Sequence, residues 1–167
     1  MHKDKFDLEV TCSGDAALQA YLAGIECSLH FDRSGLEEFT EAVAQDEEFA
    51  LAHAALGRQL FTHGRCAESD AHLDIALSLK GRVTQREQDA IEVIAAPARA
   101  NPQSIAMAQS HVEAWPQDVF VLAHLLGPFG LLAFSGSKDW SAQNVALLNA
   151  TQSAYPSDDW WRITTLG

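Results

Sequence analysis

A repeat of about 34 residues constrains this chain more than any other feature of its sequence. Segment 16–47 returns as 50–81, and the two copies carry small or apolar residues at equivalent positions: Leu22 with Leu56, Ala23 with Gly57, Phe39 with Leu73, Ala42 with Ala76, and Val43 with Leu77. A period of this length is typical of a helix–turn–helix unit, which cannot bury its apolar stripe alone. The repeat therefore predicts helical hairpins that pack side by side.

Turn and capping residues delimit the first two predicted hairpins. The first pair covers about 14–47, with Ser13 as the N-cap of its first helix. The second pair covers about 49–81, where Gly64 supplies the turn and Gly81 is a left-handed stop for the last helix. The acidic side of the second helix is predicted to be a solvated face, formed by Glu37, Glu38 and Glu41.

A third hairpin is predicted over about 84–116. Thr84 and Glu87 have the spacing of a capping box, in which each side chain satisfies a backbone amide at the start of a helix. After this pair the period is lost. The remainder, 118–167, is predicted to be helical but irregular, with Asp118 as the cap of a short apolar helix.

The composition is that of one folded domain. The chain has 167 residues, of which 47% are hydrophobic, so we expect a single helical-repeat domain over 1–167. Its formal net charge of −12 repels phosphate backbones, and no basic patch offsets it, so no nucleic acid is expected as a partner.

No membrane association is expected, and the cytoplasm is the predicted location. The most apolar stretch, 119–134, is interrupted by glycine and proline and is shorter than the roughly 20 residues of a spanning helix. The first residues lack the apolar region of a secretory signal. The three cysteines, Cys12, Cys27 and Cys66, form no close pair, which is typical of a reducing compartment.

Five short segments, spread over most of the chain, stand in a set order: Val10-Thr11-Cys12-Ser13, Phe49-Ala50-Leu51-Ala52-His53-Ala54, Val83-Thr84-Gln85-Arg86-Glu87-Gln88, Trp115-Pro116-Gln117-Asp118 and Asp158-Asp159-Trp160-Trp161. Together they resemble the tetratricopeptide repeat protein 38 family. The resemblance implies an all-α fold, an α-α superhelix of stacked tetratricopeptide-like hairpins with an irregular helical C-terminal part. Family members are typically much longer, so the chain is similar to the N-terminal part of one. The family supplies no reaction to carry over.

No motif of catalysis or metal binding stands out. His63, Cys66 and His72 are too few and too widely spaced for a structural zinc site, which needs four ligands in tight pairs. Cys27 is expected to pack rather than to act as a nucleophile. We therefore expect no catalytic residue, no metal site and no cofactor.

A binding surface is the predicted functional feature. In tetratricopeptide stacks the first helix of each pair lines the concave face, and the resemblance places five residues there: Leu51, Arg58, Phe61, Arg86 and Asp89. Arg58 and Arg86 would bind a partner's acidic or carboxylate group by bidentate hydrogen bonds. The alternative is an exposed arginine that pairs with a neighbouring acid, such as Arg86 with Asp89.

A second predicted surface lies at the end of the chain. Its apolar residues stand in an incomplete repeat: Trp160, Trp161, Ile163 and Leu166. Exposed apolar patches mark interfaces, so these residues are predicted to mediate self-association in a two-fold homodimer. The alternative is that the tryptophans fold back on 129–134.

These features favour a non-catalytic scaffold for protein–protein or peptide binding, including self-association. The alternative is an enzyme or small-molecule sensor with a pocket between the concave face and the loop 127–137. An open groove with both arginines exposed would favour peptide binding. A closed cavity with a buried histidine or cysteine beside a carboxylate would favour chemistry.

Overall fold

The computed structural model describes residues 2–156, which form eight α-helices and one small β-hairpin. The elements are β1 (His2–Lys3), β2 (Glu9–Val10), α1 (Asp15–Leu29), α2 (Gly35–Gln45), α3 (Ala50–Thr62), α4 (Cys66–Leu79), α5 (Gln85–Ala95), α6 (Ser104–Ala114), α7 (Val119–Leu125) and α8 (Trp140–Ala150). This mostly helical architecture agrees with the all-α class that the repeat predicts. Within 2–156, no helix combines the length and the apolar character needed to cross a membrane.

The chain divides into two compact units, residues 1–101 and 102–167. In the first unit α1 packs on α2, α3 packs on α4, and α3 also contacts α2 and α5. The two predicted hairpins are therefore present, as α1 with α2 and α3 with α4. The third predicted pair has its first helix, α5, in one unit and its second helix, α6, in the other.

Two glycines set how closely the paired helices approach. A Cβ atom on Gly57 would lie 2.7 Å from Cγ of Leu73, and one on Gly24 would lie 2.6 Å from the ring of Phe39. Both distances are too short for a side chain, so each glycine admits one large apolar residue of the partner helix. The repeat pairs Gly57 with Ala23, whereas the close contact in the first hairpin is made one residue later, by Gly24.

Two predicted helix ends also differ from the structure. The N-cap of α1 is Gly14, which has no side chain to cap the helix, and not Ser13, whose backbone N–H donates to Asp46 Oδ2 at 2.6 Å. Gly81 is not a left-handed stop, since α4 continues into a right-handed 3-10 turn over Lys80–Arg82. Gly64 does supply the predicted turn, with a φ of 74° that favours glycine.

The N-terminal β-hairpin is fastened to the start of α5. The predicted capping box of Thr84 and Glu87 is confirmed. The Glu87 carboxylate is fully buried and also accepts hydrogen bonds from the N–H and the hydroxyl of Thr11, both at 2.7 Å. Arg86 Nη2 donates to the carbonyl oxygen of Glu9 at 2.6 Å. The segment before α1 is therefore fastened to the rest of the first unit.

In the second unit α6 packs on α7. Asp118 caps α7 as predicted, because its Oδ1 accepts the N–H of Val121. The loop that follows α7 turns at Gly127, where φ is 78°. Leu132 in this loop and Leu148 in α8 are both buried, so the irregular part still contributes to a core.

Candidate functional site

A cavity of about 430 Å³ lies between α2 and α4 in the first unit, with α3 beneath it. We call it the α2–α4 groove. Its lining includes Glu37, Glu41 and Ala44 from α2, Leu56 and Leu60 from α3, and Glu68 and His72 from α4. Glu37, Glu41 and Ala44 are exposed, whereas the two leucines are buried, so the groove opens to solvent above an apolar floor.

The size of the groove suits a few side chains of a ligand. Pockets that bind small molecules have volumes of about 300–1,000 Å³ and are mostly apolar with a few polar groups. The leucine floor and the carboxylates of the rim follow this pattern. Because α2, α3 and α4 all belong to one hairpin stack, the groove is formed entirely by residues of the first unit.

The rim of the groove carries excess negative charge. Arg65 pairs with Glu68 through Nε to Oε1 at 2.7 Å and Nη2 to Oε2 at 2.5 Å. This hydrogen-bonded pair lowers the pKa of the Glu68 carboxyl. Glu41 accepts one hydrogen bond from Gln45 Nε2, and among residues 2–156 no hydrogen bond reaches the carboxylate of Glu37. Glu37 and Glu41 therefore remain without a basic partner in this part of the chain.

Two histidines meet at the inner end of the groove. His53 on α3 is buried, and its Nδ1 lies 3.0 Å from Nδ1 of His72 on α4. The other nitrogen of His53, Nε2, lies 3.1 Å from the carbonyl oxygen of Glu47. A carbonyl oxygen only accepts hydrogen bonds, so Nε2 of His53 carries the proton and its Nδ1 is a bare acceptor. His72 Nδ1 therefore donates to His53 Nδ1.

The environment keeps both rings neutral. Burial lowers the pKa of His53, against the opposing effect of its hydrogen bond to the Glu47 carbonyl. Burial also lowers the pKa of His72, and the neighbouring His53 lowers it further. At neutral pH each ring therefore has a single proton, and His72 has its proton on Nδ1.

The predicted concave residues of α3 lie in different environments. Leu51 is 2% exposed, and Phe61 is 39% exposed. Arg58 lies between them in sequence, and burial lowers the pKa of its guanidinium to about 10. The structure thus places Leu51 in the core, Phe61 at the surface and Arg58 in a partly desolvated position. Their role in partner binding stays a prediction.

The two predicted concave residues of α5 make contacts within the first unit. Arg86 is 8% exposed and donates to the Glu9 carbonyl oxygen. Asp89 Oδ1 accepts a hydrogen bond from Gln85 Nε2 at 2.8 Å. In the described structure Arg86 therefore contacts the N-terminal hairpin, and Asp89 contacts a residue of its own helix.

The residues predicted for self-association lie outside the described residues: Trp160, Trp161, Ile163 and Leu166.

The three residues considered as metal ligands, His63, Cys66 and His72, do not converge on one point in the described structure. His63 Nδ1 lies 2.7 Å from the carbonyl oxygen of Gln59, and His72 is held by His53. In the part of the chain that the structure describes, no group of three or more histidine, cysteine, aspartate or glutamate side chains is arranged to hold a metal ion.

The second unit contains a buried histidine beside a carboxylate. His111 Nε2 lies 3.1 Å from Asp118 Oδ2, and the two side chains are 1% and 7% exposed. The ring of His111 also packs against Trp115, with 4.9 Å between ring centroids. A reacting histidine needs access to substrate, whereas this pair is enclosed in the core. The arrangement therefore resembles a structural tie between the end of α6 and the start of α7.

Sequence reasoning missed the groove because the acidic residues of its rim were predicted only as a solvated face. Glu37 and Glu41 were predicted to be a solvated face, and His72 was weighed only as a metal ligand. The available signal was the apolar residues that lie near these acids in α2, Leu36, Val43 and Ala44, since they place an apolar wall beside the carboxylates. Compared with family models, curated proteins and solved structures, the chain matches none. Membership of the tetratricopeptide repeat protein 38 family stays a prediction.

Proposed function

We propose that this chain is a non-catalytic binding module that holds an amphipathic, basic peptide segment of a partner protein in the α2–α4 groove. The observation that carries the proposal is the combination of an apolar floor, Leu56 and Leu60, with a rim on which Glu37 and Glu41 have no basic partner among the described residues. This combination suits a segment that presents one apolar face and one basic face.

The apolar floor and the acidic rim of the groove have different roles in binding. An aliphatic side chain of the segment would be buried against the leucine floor, which supplies most of the binding free energy. Lysine or arginine side chains of the segment would meet Glu37 and Glu41, which selects basic sequences and fixes their direction. The net charge of −12 attracts such a segment from a distance and raises the rate of association.

The proposed function is of the class that the sequence predicts, non-catalytic binding of a peptide or protein. The proposed binding surface is the α2–α4 groove and not the predicted concave face. Helix-in-groove recognition, in which an amphipathic segment lays its apolar face into an apolar groove, needs only packed helices and no reaction. The acidic partner predicted from Arg58 and Arg86 concerns a different face and stays a prediction. The enclosed His111 and Asp118 pair gives no support to the alternative of an enzyme.

The proposal is tested by selection from a random peptide library displayed on phage, with the whole chain immobilised. We expect the enriched peptides to combine aliphatic residues with lysine or arginine. The affinity of a selected peptide is then measured by calorimetry. Ala44→Trp fills the groove and is expected to weaken binding about tenfold or more, equivalent to about 1.4 kcal/mol.

Ala71→Trp is the matched control, because Ala71 is an exposed alanine of α4 outside the groove lining. It is expected to change the affinity by less than about twofold. Library selection without enrichment, or equal affinities for wild type and Ala44→Trp, would show that the groove is not the binding site.

A second experiment tests whether binding needs the negative charges on the rim of the groove. Combined Glu37→Gln and Glu41→Gln substitution is expected to weaken binding and to reduce its dependence on salt, because two rim charges are lost. Glu113→Gln, on an exposed position of α6 in the other unit, removes one acidic charge without touching the groove and should leave both quantities unchanged.

A further inference from the structure

The hydrogen-bond chain at the end of the groove leaves one ring nitrogen as a free acceptor. The Glu47 carbonyl fixes the proton of His53 on Nε2, and the 3.0 Å contact then fixes the proton of His72 on Nδ1. In neutral His72, Nε2 therefore has a lone pair and no proton. Within residues 2–156 no hydrogen bond reaches this nitrogen, and the His72 side chain lines the groove.

We infer that His72 Nε2 accepts a hydrogen bond from the ammonium or guanidinium group of the bound segment, so that the groove selects a basic residue that donates N–H and releases it on acidification. The inference rests on the proposed function and specifies its ligand. Carboxylates alone would accept any cation, whereas a bare imidazole nitrogen requires a donor hydrogen.

The charged and titratable groups around the ring agree with a cationic ligand. They are His53 on α3, Asp46 and Glu47 before α3, Glu37 and Glu41 on α2, and Arg65 and Glu68 at the start of α4. Arg65 is the one fixed cation of this set, and it is held by the carboxylate of Glu68. A basic side chain of the ligand would therefore enter surroundings that are acidic overall.

The acceptor is lost when His72 takes up a proton. Protonation occurs at Nε2, which converts this atom from acceptor to donor and adds a positive charge beside the ligand's cation. Because burial and His53 lower the pKa of His72, the acceptor persists at neutral pH and disappears only in more acidic solution. Affinity should therefore be full at neutral pH and fall with acidification.

The inference is tested with a selected basic peptide and the whole chain. Wild type should lose about tenfold in affinity between about pH 7.5 and about pH 5.5. His72→Asn retains an amide N–H for His53 but has neither the Nε2 acceptor nor a titrating group. This variant should bind more weakly at neutral pH, and its affinity should change by less than about twofold over the same range. His63→Asn, an exposed histidine outside the groove, should behave as wild type.

A small-molecule probe separates hydrogen bonding from charge. Ring-nitrogen NMR should show His72 as the Nδ1–H tautomer, and n-butylammonium chloride should shift the Nε2 signal towards that of a hydrogen-bonded nitrogen. Tetramethylammonium chloride, which has the same charge but no N–H, should not produce this shift.

Different results would contradict the proposed function and the proposed role of His72. If no peptide is enriched or bound, the proposed function is wrong. If peptides bind but the affinity is independent of pH, or His72→Asn keeps the pH dependence, the groove function stands and the role of His72 is wrong. A His72 ring with its proton on Nε2 overturns the inference by itself.

Discussion

Gly57 is a position at which a single methyl group should lower stability. The Gly57→Ala substitution places a Cβ atom 2.7 Å from Cγ of Leu73 and 2.8 Å from its Cδ2. Overpacking of this kind costs about 1–3 kcal/mol, while alanine gains up to about 1 kcal/mol over glycine in a helix. We therefore expect a net loss of about 1–2 kcal/mol in the free energy of unfolding, measured with urea.

Gly81→Ala is the matched control for this prediction. A Cβ atom on Gly81 would meet nothing within 4 Å, and its backbone is right-handed. The free energy of unfolding of the Gly81→Ala variant should stay within about 0.5 kcal/mol of that of the wild type. Equal stability of the Gly57→Ala variant and the wild type would contradict the close packing of α3 on α4.

At the scale of single residues, the sequence predicted local contacts better than distant ones. The capping box of Thr84 and Glu87 and the cap at Asp118 were predicted correctly, because both partners lie within three positions of each other. The cap at Ser13 was wrong, because α1 has Gly14 as its N-cap, and the Ser13 N–H is bonded to Asp46, more than thirty positions away. The role of Gly24 was not predicted, since its deciding contact is with another helix.

At the scale of elements, Glu87 connects the N-terminal hairpin to α5. Its buried Oε2 accepts hydrogen bonds from the Thr11 hydroxyl, the Thr84 hydroxyl and the Thr84 N–H. Glu87→Gln replaces one acceptor oxygen with an NH₂ group that faces these donors. We expect a loss of about 1–3 kcal/mol in the free energy of unfolding, together with faster amide exchange at Val10.

Two further variants make this prediction specific. Thr11→Val removes one hydroxyl donor while it retains the shape of the side chain, so its effect should be smaller than that of Glu87→Gln. Glu113→Gln, at an exposed position, should stay within about 0.5 kcal/mol of the wild type. If Glu87→Gln unfolds at the same denaturant concentration as the wild type, Glu87 does not hold the hairpin.

The burial of His53 and His72 makes the α3–α4 pair sensitive to acid, and at His72 the neighbouring His53 adds to the effect. Both histidines have a lowered pKa in the folded protein, so the unfolded chain takes up protons more readily than the folded chain below about pH 6.5. Stability should therefore be full above about pH 6.5 and decline as the pH falls below it.

The measurement is the free energy of unfolding at a series of pH values. His72→Asn, which cannot titrate, should reduce the loss in mildly acidic solution, whereas His63→Asn should not. A wild-type stability that rises on mild acidification would mean that the two rings do not carry lowered pKa values.

The elements that sequence could predict are those with a local pattern. The first two hairpins follow from apolar periodicity and turn residues within each segment. The strands β1 and β2 have two residues each, which is too short for any periodicity to show. The α2–α4 groove was missed because three helices build it, and no single helix shows in its sequence which of its faces a neighbour leaves open.

At the scale of the whole molecule, the first unit is held together by contacts among its own residues. Its helix contacts join α1 to α2, α2 to α3, and α3 to both α4 and α5. Near its end Arg99 pairs with Asp70 at 2.8 Å and also with Asp74, which ties the segment after α5 back to α4. The unit also includes the groove and the histidine pair.

We therefore expect a fragment of residues 1–101 to fold alone. It should show helical circular dichroism with one cooperative thermal transition, because its core is shared among helices that it retains. It should also keep the pH response of the His53–His72 pair, which reports the α3–α4 contact independently of overall stability. A shorter fragment, 1–82, lacks α5, Arg99 and the partner of the N-terminal hairpin, and should unfold at a lower temperature. A fragment 1–101 that melts without a cooperative transition would show that the first unit depends on the rest of the chain.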